Sequence, residues 1–221
     1  MRIQLYIHAD DALVPFAHQH LLVGTIQKWL GDNELHGRSI PYSFSRLSGG
    51  KLVSELGSIL FADRADMFVS AHDPEILNRM VTGIRQDPTM FKGLSVREVV
   101  LMEDPDMSAR ELFYPASPIL LKRWREERRF DHVIYTDPDA NALLTENLRK
   151  KLQVMGVDDD TLMASFAPGQ GKAKVMLIDY RGVKNKVSWC PIRIEGRAES
   201  KLFAWNAGVG NSTGIGFGAI K

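Results

Sequence analysis

Hydrophobic residues in the first hundred positions change their spacing in a fixed order, and that order admits few folds. Met1 to His8 alternates apolar and polar residues and predicts a strand. From about Ala17 to Leu30 the spacing becomes helical, carried by Leu21, Leu22, Thr25, Ile26, Trp29 and Leu30, with Gly31 as the stop. Alternation returns over Pro41 to Leu47 and again around Ser58 to Phe61 and Asp66 to Ser70. Asp73-Pro74 then caps a second helix whose buried stripe is Ile76, Leu77, Met80, Val81 and Ile84, and Leu94 to Met102 closes the series as a strand. The order β-α-β-β-α-β is the ferredoxin-like pattern.

Glu103 to Ser108 is polar, contains proline and lacks periodicity, which marks a junction. Beyond it the order recurs. Glu111 to Leu121 and His132 to Thr136 read as strands, Asp137-Pro138 opens a helix ended by Gly156, and Lys174 to Tyr180 pairs with Val187 to Ile194 across Arg181-Gly182. A helix from about Ala198 to Asn206 follows, and then a terminal strand from Ile215 to Ile220. The expected class is α+β, with one ferredoxin-like module over residues 1–103 and a second over 109–221.

Five glycines punctuate the last fourteen residues, at 208, 210, 214, 216 and 218. A dinucleotide fingerprint is excluded, because only three residues follow Gly218 and no helix can open there. A P-loop is excluded too, since the segment lacks Gly-Lys-Ser/Thr. Two readings remain: a loop whose N–H groups meet an anion, or a turn whose glycines let another backbone approach closely.

Net charge is only +1, so no overall positive field draws in nucleic acid. The charge is segregated, however. Gly171 to Lys221 carries nine basic residues against three acidic ones, whereas Ser54 to Pro118 carries six against eleven. A one-sided anionic partner fits that polarity. Lys122-Arg-Trp-Arg125 and Arg128-Arg129 form another basic stretch, but Glu126 and Glu127 nearly halve its charge and it reads as a solvated edge. The lone cysteine, Cys190, lies in an apolar run and reads as core. With neither a signal peptide nor an apolar run near 18 residues, the expectation is a cytoplasmic protein without a membrane partner.

The ending GVGNSTGIGFG resembles the glycine-rich loop of the RAMP superfamily, specifically the CRISPR-associated endoribonucleases that cut repeat RNA into guide RNAs. VPFAHQHLLVGTIQKWL resembles that family's first helix, LHG followed by PYSFSRL its histidine-bearing loop and second strand, and SPILLKR the strand opening its second module. The resemblance implies a tandem ferredoxin-like protein that binds CRISPR repeat RNA and cleaves it once, with no metal and no cofactor. Effector-complex subunits are possible further partners, and a monomer or a homodimer is equally compatible. The chemistry is self-consistent. RNA supplies its own nucleophile, the 2′-hydroxyl, so the protein needs only a base, an acid and a cation for the developing charge. The products are a 2′,3′-cyclic phosphate and a 5′-hydroxyl.

Six histidines compete for the proton work. His36, in the polar Asn33 to Arg38 stretch, matches the family's catalytic histidine. His18 matches its structural entry position, which leaves His20 as the second candidate. Where several members carry tyrosine on the first helix this chain has Gln27, so Tyr42 on the next strand is the candidate substitute. Arg38, two residues beyond His36, is the choice for stabilising phosphate charge. A metal site built from His18, His20 and Asp10 or Asp11 is rejected, because a helix turns the two rings of His-x-His to different faces. For RNA binding the expected contacts are Lys172, Lys174, Lys184 and Lys186 of the basic hairpin, and Lys201, Gly208, Gly210, Asn211, Gly214 and Gly216 of the glycine loop. Two rivals stay open: a non-cleaving RNA-binding member of the superfamily, and a protein-interaction or small-ligand module on the same scaffold.

Overall fold

The computed structural model describes residues 1–31, 41–125 and 130–221. Alternation near the N-terminus becomes strand β1 (Arg2–His8), with Ile3, Leu5 and Ile7 turned into an apolar core. After the short β2 (Ala12–Pro15) comes helix α1 (Gln19–Leu30), which buries Leu22, Val23, Ile26, Trp29 and Leu30. Next are β3 (Tyr42–Phe44), β4 (Lys51–Val53), β5 (Ser58–Phe61) and β6 (Arg64–Ala71). Helix α2 (Pro74–Gln86) starts where predicted: the Asp73 carboxylate accepts the Glu75 N–H at 2.9 Å, and Pro74 loses no bond because first-turn N–H groups have no helical partner. Strand β7 (Ser95–Met102) completes the antiparallel sheet β3-β6-β1-β7, the order required of a ferredoxin-like module. Strands β2, β5 and β4 form an added three-stranded sheet that the alternation did not separate.

The second half repeats the plan less regularly. Its strands are β8 (Leu112–Phe113), β9 (Leu121–Trp124), β10 (Phe130–Val133), β11 (Met163–Phe166), β12 (Lys174–Tyr180), β13 (Val183–Trp189) and β14 (Ile192–Glu195), with helices α3 (Ala140–Val154) and α4 (Ala198–Ala207). Strand β14 lies between β11 and β8. The chain end covers the other edge of β8: Tyr114 and Lys221 exchange both N–H···O bonds at 2.8 Å, and the Ala116 N–H reaches the Ala219 carbonyl at 2.8 Å. The sequence of partners, chain end–β8–β14–β11, reproduces β7–β1–β6–β3. The fold is therefore α+β with ferredoxin-like modules in tandem.

Three expected strands are corrected. Glu111 to Leu121 breaks into β8 and β9, because Pro115 and Pro118 cannot donate to a ladder. Val187 to Ile194 breaks at Cys190-Pro191 for the same reason, and the hairpin partner of β12 starts earlier, at Val183, across Arg181 and Gly182 with φ of +53° and +81°. The terminal strand is a 3₁₀ turn over Thr213–Ile215 followed by one bridge, Ile220 to Pro115. No helix among the described residues is long and apolar enough to cross a membrane.

Arg2 ties the two halves. Its guanidinium lies between the rings of Phe68 and Trp205, 3.7 and 3.8 Å from their centroids, and donates to Ser70 Oγ and to the carbonyls of Trp205 and Ile220. At the start of α4 the buried Asp159 accepts from the Arg197 N–H, the Ser200 hydroxyl, and both the N–H and hydroxyl of Thr161. Burial alone raises a carboxyl pKa, but these bonds outweigh it and hold Asp159 at about 2, below its ordinary 3.8. Because the folded-state value is the lower one, the stabilisation is complete above about pH 4 and disappears as pH falls towards 2. Asp159→Asn should thus flatten the dependence of the melting temperature on pH over that window. An equal slope in both proteins would show that the carboxylate charge contributes nothing.

Candidate nucleic-acid interface

Helix α4 ends at Gly208, and the glycine segment then threads between the halves. Its N–H groups are largely committed inside the protein. Gly208 donates to Ala204, Asn211 to Leu120, Ile215 to Ser212, Gly216 to Thr213 and Gly218 to Pro118. Gly208, Gly210 and Gly216 are buried. The expectation that Gly208, Asn211 and Gly216 offer N–H groups to an anion is therefore corrected. Close approach is the reason for glycine here: a Cβ on Gly210 would fall 2.5 Å from the Leu120 carbonyl oxygen, and one on Gly218 only 1.8 Å from that of Val209. Asn211 acts structurally as well, its Oδ1 accepting the Lys122 N–H at 2.9 Å.

Side chains of the first half hold this segment in place. Gln19 Nε2 donates to the Ile215 carbonyl at 2.6 Å, and the Tyr42 hydroxyl donates to the Gly214 carbonyl at 2.9 Å with Gln27 Nε2 at 3.5 Å. Tyr42 is buried, and burial pushes its pKa up to about 12. A neutral phenol fixed in that way anchors the glycine segment. The expectation for Lys201 is corrected. It is 3% exposed and donates to the Ser108 carbonyl at 3.2 Å, away from any surface ligand. His18 is buried with Nδ1 2.8 Å from the Pro15 carbonyl, the structural arrangement expected of it.

His20 is exposed in the first turn of α1. His36 and Arg38 lie outside the described residues. Lys172, Lys174, Lys184 and Lys186 all stand exposed on or beside the β12–β13 hairpin, whose inner residues Met176 and Ile178 pack on Leu120, Val187 and Phe217. The hairpin tip turns back towards the first half. Tyr180 and Arg181 join Val23, Gln27 and Lys28 of α1, the Gly31 that follows it, and Ile215 of the glycine segment around a groove of about 630 Å³. Helical spacing sets His20 on the same stripe of α1 as Gln27. Lys28 is engaged by Asp87 at 2.7 Å and by the Thr89 carbonyl, which leaves Arg181 as the freer cation of the rim.

Sequence reasoning missed Tyr180 and Gln19. Alternation in β12 put Tyr180 on the face of Met176 and Ile178, but nothing local indicated that this face reaches across to α1.

A family model described as CRISPR-associated protein Cas6, C-terminal, matches residues 102–221. A CRISPR-associated endoribonuclease-like protein Cas6 of Pyrococcus furiosus is 24% identical over 241 residues, an alignment that covers 100% of this chain and 97% of the relative. Among solved structures, one characterising a Cas6-related gene from Pyrococcus furiosus superposes with a TM-score of 0.87 at 21% identity, covering 100% of this chain and 97% of its own. Another, described as a RAMP protein binding different RNA substrates, gives 0.87 at 19% identity with 100% and 98% covered. Those likenesses establish the shared fold; the family model spans more than half of the sequence, and the chain belongs to the Cas6 family.

Proposed function

We propose that this chain is an endoribonuclease that binds CRISPR repeat RNA and cuts it by attack of a 2′-hydroxyl on the adjacent phosphate, without a metal ion. The observation that carries the reading is the groove where the basic hairpin tip meets α1. It is bordered by Gly31, where the segment bearing His36 and Arg38 departs, and it lies on the stripe of α1 that begins with His20. In this reading His36 and His20 exchange protons with the 2′-hydroxyl and the leaving 5′-oxygen, and Arg38 offsets the charge that builds on the phosphate. Lys172, Lys174, Lys184 and Lys186 hold the RNA backbone. Residues 1–103 act as the catalytic unit and 109–221 as the RNA-gripping unit. Support comes from membership of the Cas6 family and from a relative whose name includes endoribonuclease-like activity.

One observation favours a second reading, an RNA-binding protein that does not cut. Gln27 stands on α1 where several family members carry a tyrosine, and the Tyr42 hydroxyl is buried against Gly214. The deciding experiment incubates the protein with labelled repeat RNA in EDTA, beside a substrate whose 2′-hydroxyl at the cut is replaced by hydrogen. A single EDTA-resistant cut that the deoxy substrate does not undergo supports the nuclease. Retention of uncut RNA selects the second reading.

A further inference from the structure

Strands β9 and β10 form a hairpin outside the groove, and one of its faces is unusual. Trp124 pairs with Phe130 and Lys122 with His132 in register, so these four side chains share a face. Their rings form a ladder: Trp124 meets Phe130 edge-on with centroids 5.4 Å apart, Phe130 meets His132 edge-on at 5.3 Å, and the Lys122 ammonium lies 4.3 Å from the Phe130 centroid. The Nε2 atom of His132 is buried with no hydrogen-bond partner, so that ring serves the ladder by packing. The outermost rung is open, with Trp124 62% exposed.

Cross-strand packing alone explains the inner rungs but not a tryptophan left in water. The surrounding charge is informative. Arg125 is paired with Asp131 and Arg123 with Asp139, while Lys122 has no acidic partner among the described residues and stands one strand repeat, roughly 7 Å, from Trp124. A flat π-face beside an unpaired cation suits one nucleotide, the base on the ring and a phosphate on the ammonium. The hairpin is also continuous with the glycine segment, since Asn211 bonds both the Lys122 N–H and the Leu120 carbonyl.

We infer that the Trp124 face of the β9–β10 hairpin is a stacking platform for an unpaired base of single-stranded RNA, with Lys122 contacting the adjoining phosphate. The inference rests on the RNA-binding reading above and adds to it a second contact surface, one that takes unpaired nucleotides.

The test measures fluorescence anisotropy with a labelled ten-nucleotide single-stranded RNA and with the same oligomer made abasic throughout. Trp124→Ala should weaken binding of the normal oligomer by roughly 5- to 150-fold, whereas Trp124→Phe, which keeps a π-face, should lose only a few-fold. On the abasic oligomer, wild type and Trp124→Ala should bind alike, a result that a merely structural tryptophan would not produce. Melting temperatures of both variants check that the exposed position leaves folding intact. Equal affinity of Trp124→Ala and wild type for the normal oligomer overturns the platform alone, and would redirect the face to a protein partner. Failure of the wild type to bind either oligomer or repeat RNA overturns the RNA-binding reading together with the platform.

Discussion

Replacing His36 by alanine should slow single-turnover cleavage of repeat RNA by about 10²- to 10⁴-fold while the dissociation constant for the repeat changes little. Four of the six histidines are occupied elsewhere. His18 is buried and bonded to Pro15, and burial lowers its pKa, so it stays neutral and engaged. His72 packs edge-on to Phe203 at 5.0 Å, and His132 belongs to the aromatic ladder. His8 lines a separate groove with Asp63, Arg64 and Arg97. His20 and His36 are left as the two histidines of the proposed mechanism. With the Tyr42 hydroxyl bonded to Gly214, the proposed mechanism gives the acid and base roles to the two imidazoles. A mechanism with one general acid and one general base predicts a bell-shaped dependence of the wild-type rate on pH. His20→Ala should remove one limb of that profile, and His36→Ala the other. A cleavage rate in His36→Ala equal to wild type, measured with enzyme in excess over RNA, would remove His36 from the mechanism.

The order of elements was readable because the strands and helices of the β3-β6-β1-β7 module each show their own period, unlike the short β2 and β4, and because Asp73-Pro74 and Gly31 mark boundaries by local chemistry. Reading failed where tertiary contacts set the answer. Lys201 sits in a helix whose residues from Ser200 to Ala207 are buried save for the half-buried Leu202, and no single turn of sequence predicts that a lysine there will reach Ser108 instead of solvent. Tyr42 looked available as part of an alternating strand over Pro41 to Leu47, but all three residues of β3 are buried, and the partner of the Tyr42 hydroxyl is Gly214, 172 positions away. The glycine segment was recognised correctly as a landmark, yet spacing alone does not distinguish glycines that free an N–H for a ligand from glycines that admit a backbone. The candidate groove was legible only by its ingredients, the basic hairpin and α1, and not by their convergence.

That distinction leads to the second large effect. Gly218→Ala should destabilise the protein by roughly 3–5 kcal/mol, because two penalties act together. Gly218 holds φ at +70°, a conformation an L-residue adopts at a cost, and the new methyl would fall 1.8 Å from the Val209 carbonyl oxygen, a backbone atom with no rotamer to retreat into. That oxygen cannot move far, because Val209 donates its own N–H to the Gly218 carbonyl and Gly218 donates to Pro118. Any shift to relieve the clash pulls apart the crossing that also holds the chain end on β8. Gly214→Ala provides the contrast within the same segment. Its φ is not in the left-handed region and its methyl would sit 3.3 Å from the Tyr42 ring, so the cost should stay at about 1 kcal/mol. Urea unfolding of the two variants reads both effects. If Gly218→Ala unfolds at the wild-type midpoint, close backbone packing is not what requires glycine at that position, and the segment's glycines would again need a ligand to explain them.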